Sequence, residues 1–239
     1  MSHQSHPAVT GFLERADAVL PGRYAAVLHG SMVRGDFLPD RSDVNLLVVV
    51  EDLSPSTLRG LTTAFARFEQ EHMSPPLLIP RVEWERAADV FPIEITDVRS
   101  AYQVLRGADP LAGQAVRPFD LQRALESELR GKLLRLRLDY GLYHTDEERL
   151  GAVVGHSIGA VRVLLRTTLA LAGRPVPGPD RDLIQALNSL TGADPAVLER
   201  LLSHRRNPSW RCPSHLFESY IGIVEQATRF VDNYHPGDD

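Results

Sequence analysis

The stretch Val44 to Val50 constrains the fold most, because it is almost continuously apolar and rich in β-branched residues. A strand with one face in water alternates apolar and polar side chains. This one does not, so it reads as a central strand covered on both faces. It is bounded by Pro39-Asp40-Arg41-Ser42-Asp43 before it and by Asp52 after it. A second short apolar run, Tyr24 to Leu28, stops at Gly30-Ser31 and reads as a buried strand ending in a turn. Ser54 and Pro55 then cap and open a helix carrying Leu58, Leu61, Phe65 and Phe68 at helical spacing, which ends before Pro75-Pro76. Leu77 to Pro80, Pro92 to Val98 and Tyr102 to Leu105 are expected as further strands.

The pattern changes after Gly107-Ala108-Asp109-Pro110. Leu121, Leu125, Leu129, Leu133 and Leu136 follow a helical period, and residues 146 to 172 read as one longer helix ending at Gly173. Beyond the stiff connector Pro175-Val176-Pro177-Gly178-Pro179, helices are expected over 183–190, 195–202 and 216–230. The fold class that follows is α+β: a mixed sheet with flanking helices in residues 1–115, then an all-α helical bundle in 116–239. A chain of 239 residues with 43% hydrophobic content can bury a core in each part.

Composition narrows the partners. A net charge of −5 gives no basic stripe for a nucleic-acid backbone, so nucleic acid is not the expected principal partner. No apolar run approaches the ~20 residues of a membrane span, and the first residues lack the pattern of a signal peptide, so a cytoplasmic protein without a membrane partner is expected. The single Cys212 excludes an internal disulfide and has no zinc-ligand cluster around it. Of 26 basic residues only Lys132 is lysine, so a phosphate contact in the first half must come from arginine, backbone amides or metal.

The stretch from Leu28 to Val50 supplies such groups. Gly30 permits a sharp backbone bend, and Ser31 then offers a hydroxyl and an amide at a helix start, where anions are favoured. Arg34, one turn on, lies on the same face and can reach phosphate oxygens. Asp43 and Asn45, two apart on a strand, point the same way and can face a cation. Magnesium takes oxygen ligands, commonly one or two carboxylates with phosphates and water. A third carboxylate is expected at Glu94, an acid between Ile93 and Ile95 in an expected strand, with Asp97 as its rival should a bulge intervene.

In this order of features the chain resembles the nucleotidyltransferase superfamily that includes the aminoglycoside nucleotidyltransferases. That family has a Gly-Ser turn with a following basic residue, two acids spaced Asp-x-Asp on the next strand, and a third acid on a later strand. Gly30-Ser31, Arg34, Asp43 and Glu94 stand at those places, and the resemblance covers about residues 20 to 110. It implies binding of a nucleoside triphosphate, ATP first among them, at Gly30, Ser31 and Arg34, with Mg2+ at Asp43, Asn45 and Glu94. It further implies transfer of a nucleoside monophosphate to an acceptor hydroxyl, with Glu94 or a nearby acid taking the proton and pyrophosphate leaving. The C-terminal helices are similar to the helical domain that many members append. One departure stands out: Asn45 occupies the second acid position and brings an oxygen but no charge. A nucleotide-binding or regulatory protein without turnover is therefore a second reading.

A third motif competes. Gly155-His156-Ser157-Ile158-Gly159 matches the G-x-S-x-G nucleophile elbow of α/β-hydrolases. That elbow needs a strand before the serine and strand-borne acid and histidine residues after it, whereas only helical patterns follow. One continuous helix, with Gly151, Gly155 and Gly159 allowing close packing, is the simpler expectation. Arg205-Arg206 reads as a solvated pair, and the spacing of Arg149 and His156 carries little signal.

Overall fold

A computed structural model describes residues 6–35, 37, 44–70, 73–204, 207 and 209–235. The chain forms two compact units, Met1–Phe91 with Val98–Ala115, and Pro92–Asp97 with Val116–Asp239.

The first unit is built on a mixed four-stranded sheet of order β3-β2-β1-β4, formed by β1 (Tyr24–His29), β2 (Asn45–Val50), β3 (Leu77–Pro80) and β4 (Tyr102–Arg106). β1 runs antiparallel to β2 and to β4, and β2 runs parallel to β3. Every residue of β2 after Asn45 is buried, and so is β1 from Tyr24 to Leu28. Burial on both faces is the physical reason for their unbroken apolar runs. One face, carrying Ala26, Leu28, Leu46, Val48 and Val50, forms a single core with α1 (Pro7–Val19) and α3 (Pro55–Gln70), where Phe12 packs edge-on against Phe65 and Phe68. Helix α1 was not among the expected elements, although Pro7 at its first turn and buried Val9, Phe12, Leu13 and Ala16 carry the helical pattern. Between them lie the single-turn α2 (Ser31–Arg34) and, after β3, the short α4 (Arg81–Trp84). The Trp84 indole donates to the Pro110 carbonyl at 2.6 Å, and the Gln114 amide donates to the Trp84 carbonyl at 2.5 Å, tying α4 to the end of this unit.

Residues 92–98 correct the expectation of a strand. They belong to α5 (Pro92–Ser100), whose first six residues group with the second unit. Alternation of Ile93, Glu94 and Ile95 suggested a period of two, but Pro92 at the first helical position and the buried Ile95 and Val98 three apart follow the helical one. The Thr96 hydroxyl bonds back to the Pro92 carbonyl at 2.7 Å, as it does only in a helix. Glu94 therefore sits in a first helical turn, where a carboxylate answers the helix dipole, and it is exposed.

The second unit continues as α6 (Pro118–Tyr143), α7 (Glu147–Leu171), α8 (Asp180–Thr191), α9 (Pro195–Ser203) and α10 (Ser214–Asp232). The expected leucine series of α6 is buried in one core with Leu150, Val154, Ile158 and Val161 of α7 and Phe217, Tyr220 and Val224 of α10. Asp146 caps α7 by accepting from the Arg149 amide at 3.1 Å.

The connector before α8 is held by a buried cation. The Arg166 guanidinium, 1% exposed, donates to the Pro177 carbonyl at 2.5 Å and to the Gly178 carbonyl at 2.6 Å. Beside it, Arg162 donates to Asp180 at 2.6 Å. Arg166→Met keeps the apolar stem but leaves two part-buried carbonyls without their donor, so a loss of about 2 kcal/mol is expected. Urea unfolding of the variant, with an unchanged denaturant slope, measures it.

Candidate functional site

The site is assembled at the end of β1. His29 is its last residue, and Gly30 turns the chain into α2 with φ 79° and ψ −147°, a region that only glycine occupies readily. The Gly30 amide donates to the Ala101 carbonyl at 3.2 Å, and its carbonyl accepts from the Val33 and Arg34 amides at 3.1 and 3.0 Å. α2 has a single turn, so it adds little macrodipole. What it does present are the first amides of a helix, those of Ser31 and Met32, which have no acceptor within it. Ser31 is buried in the turn.

Two side chains close on this glycine. A Cβ placed on Gly30 would stand 2.7 Å from Asn45 Nδ2 and 3.7 Å from Arg34 Nη2. The backbone bend, the Arg34 guanidinium and the Asn45 amide thus meet at one point, and a side chain on residue 30 would have to displace the Asn45 amide. Strand register extends the cluster. His29 lies opposite Asn45 on β2 and opposite Tyr102 on β4, so Asn45, His29 and Tyr102 form a polar row on one face of the sheet. The Tyr102 hydroxyl donates to Asp109 at 2.9 Å, which pushes the phenol above its ordinary pKa, and Asp109 also accepts from the Leu111 amide. His29 and Tyr102 were not singled out in the sequence, because only the pairing of three strands puts them beside Asn45.

Of the residues expected to bind metal, Asn45 opens β2 with its side-chain amide beside Gly30, and Asp43 lies outside the described residues. Glu94 and its rival Asp97 are on α5, in the stretch that groups with the second unit. Neither strand that follows β2 carries a carboxylate: β3 reads Leu-Leu-Ile-Pro and β4 reads Tyr-Gln-Val-Leu-Arg. Among the described residues no three His, Cys, Asp or Glu side chains gather to hold a metal ion.

Residues 11–97 match the family model described as the nucleotidyltransferase domain. The chain has a nucleotidyltransferase-like fold. The turn at Gly30-Ser31, Arg34 and Asn45 all fall within the matched nucleotidyltransferase domain. Among solved structures, the chain is similar to a spectinomycin adenyltransferase from Enterococcus faecialis, determined with ATP and spectinomycin. The two share 14% identity with a TM-score of 0.55, over 92% of this chain and 98% of that one. No curated protein sequence matches the chain.

The hydrolase motif has no elbow. Ser157 lies in the middle of α7, its hydroxyl 2.7 Å from the Val153 carbonyl and 3.0 Å from the hydroxyl of buried Tyr220. His156, exposed on the same helix, is spent on the Ala152 carbonyl at 2.7 Å. A fluorophosphonate probe is expected to leave Ser157 unlabelled, which mass spectrometry checks. No helix among the described residues is long and apolar enough to cross a membrane. Arg206 and its neighbour Arg205 lie outside the described residues.

Proposed function

We propose that this protein binds a nucleoside triphosphate, ATP first, at the Gly30-to-Arg34 turn and transfers its nucleoside monophosphate to an acceptor hydroxyl. The observation that carries the proposal is the convergence of Arg34 and Asn45 on Gly30 within a nucleotidyltransferase domain. Amides at the turn and the guanidinium supply donors for phosphate oxygens, and a bend at glycine, which carries no side chain, lets the backbone approach the ligand closely. Transfer is displacement at the α-phosphorus: the acceptor oxygen forms the new bond, the bond to pyrophosphate breaks, and the acceptor proton passes to a base. Mg2+ enters the proposal with Asp43 and Asn45 as oxygen ligands, and when bound it would neutralise charge on the phosphates. Glu94 enters as third ligand on the resemblance alone, and Glu94→Gln tests it separately.

The reading of a nucleotide-binding protein without turnover is favoured by one specific observation, the absence of a carboxylate from Asn45 and from both later strands. Asn45→Asp separates the two readings. With the charge restored, Mg2+-dependent ATP affinity is expected to rise about tenfold, since a carboxylate is a far better magnesium ligand than an amide. Pyrophosphate release with water attacking in the acceptor's place, absent from the native chain and present in Asn45→Asp, identifies a site held below turnover by this residue. Release at equal rates in both identifies a site whose turnover does not depend on a carboxylate at this position, and transfer is then read from the labelled acceptor product. No change in affinity with Mg2+ removes the metal from this position.

A further inference from the structure

The second unit contains a cavity of about 480 Å³ where the C-terminal ends of α7, α8 and α10 come together. Its volume lies in the range of small-molecule sites. Its charge is one-sided. Among the described residues Arg174, Arg229 and His235 line it, and no aspartate or glutamate does. Among the described residues the Arg174 and Arg229 side chains make no hydrogen bond or ion pair. Arg130, Arg137, Arg162 and Arg166 of the same unit are each committed to a carboxylate or carbonyl.

The walls are prearranged. The Arg174 amide bonds to the Leu169 carbonyl at 3.0 Å, fixing the residue just past α7. Gln122 donates to the Val231 and Tyr234 carbonyls at 2.9 and 2.8 Å, which holds the segment after α10 against α6. Phe230 and Tyr234, ring centroids 6.1 Å apart and ring planes tilted by 40°, supply an aromatic wall. Gln226 Oε1, on the same lining, is buried and accepts no hydrogen bond among the described residues, so it has room for a donor on a ligand.

Arginine at a helix end commonly just answers the helix dipole. That role needs neither a cavity, nor a second unpaired arginine from a different helix, nor an aromatic wall. We propose that this cavity binds a small organic anion with a planar apolar body, its phosphate or carboxylate held between Arg174 and Arg229 and its ring against Phe230 and Tyr234. The site lies wholly in the second unit and does not depend on the nucleotide reading.

Phenyl phosphate is the probe, and benzylamine is its cationic counterpart of similar size. Isothermal titration of phenyl phosphate into the full-length protein should saturate at one site below about 10 mM, as suits so small a ligand. Benzylamine should give no saturable heat. Arg174→Gln and Arg229→Gln should each weaken phenyl phosphate about tenfold or more, the effect of losing one charge-assisted contact, and leave ATP affinity unchanged. Arg34→Gln should leave phenyl phosphate affinity as it is. The proposal is overturned by equal binding of benzylamine, by affinity that survives both arginine changes, by absence of saturation, or by loss in Arg34→Gln instead. Both cavity arginines are exposed, so the variants fold, and circular dichroism verifies it.

Discussion

Gly151→Ala is expected to destabilise the protein by about 3 kcal/mol or more, the upper range for forcing extra volume into a packed contact. A Cβ on Gly151 would stand 1.9 Å from the Trp210 carbonyl oxygen and 2.9 Å from its carbon, so the obstacle is backbone and no rotamer relieves it. The segment cannot simply retreat, because the Cys212 amide two residues on donates to the Glu147 carbonyl at 2.8 Å. Moving Trp210 away would pull on that bond and on Cys212, which is fully buried. The control comes from the same helix. Gly155 and Gly159 face open space, so Gly155→Ala should gain about 0.5–1 kcal/mol from helix propensity alone. Thermal unfolding of the two variants against the native chain should show shifts of opposite sign. A Gly151→Ala protein as stable as the native one would contradict the described contact between α7 and the 210–212 segment.

Gly30→Ala carries the second large effect, on binding rather than on global stability. The methyl group would meet Asn45 Nδ2 at 2.7 Å and force φ out of a region that alanine tolerates poorly. Either the turn opens or Asn45 swings aside, and both take donors away from the phosphates. ATP affinity is expected to fall at least about 100-fold, the equivalent of losing two charge-assisted contacts. The cost to stability should stay near the ~1–3 kcal/mol of a strained backbone residue. Titration with ATP, read beside a thermal melt, separates loss of the site from loss of the fold. Unchanged affinity in a folded Gly30→Ala protein would move the nucleotide away from this turn.

Much of this architecture could be read from residues alone, and the parts that could not have identifiable physical causes. The run from Val44 to Val50 announced a central strand because burial on both faces leaves only one kind of side chain there. The leucines of α6 announced a helix because 26 residues of one period leave little ambiguity. Short elements are different. Pro92 to Val98 offers a period of two and a period of three at once, and packing chose the helix. That choice changed the meaning of Glu94, from an acid enclosed between isoleucines to an acid at a helix start. The glycines of α7 show the same limit: spacing put Gly151, Gly155 and Gly159 on one footing, yet only Gly151 meets a backbone.

For the site, the local part was accessible and the non-local part was not. Gly30, Ser31 and Arg34 are neighbours in sequence, so their common turn could be expected. That Asn45 reaches Gly30, or that His29 stands in a row with Asn45 and Tyr102, depends on the register of β1 with β2 and β4, which no short motif encodes.

The account rests on nucleotide binding at the Gly30 turn, and the most direct measurement is isothermal titration of ATP, with and without Mg2+, into the native protein and Arg34→Gln in parallel. Saturable binding to the native chain, weakened about tenfold or more when the guanidinium is removed, is the predicted result. No binding to the native chain under either condition, or equal binding to both proteins, would contradict it.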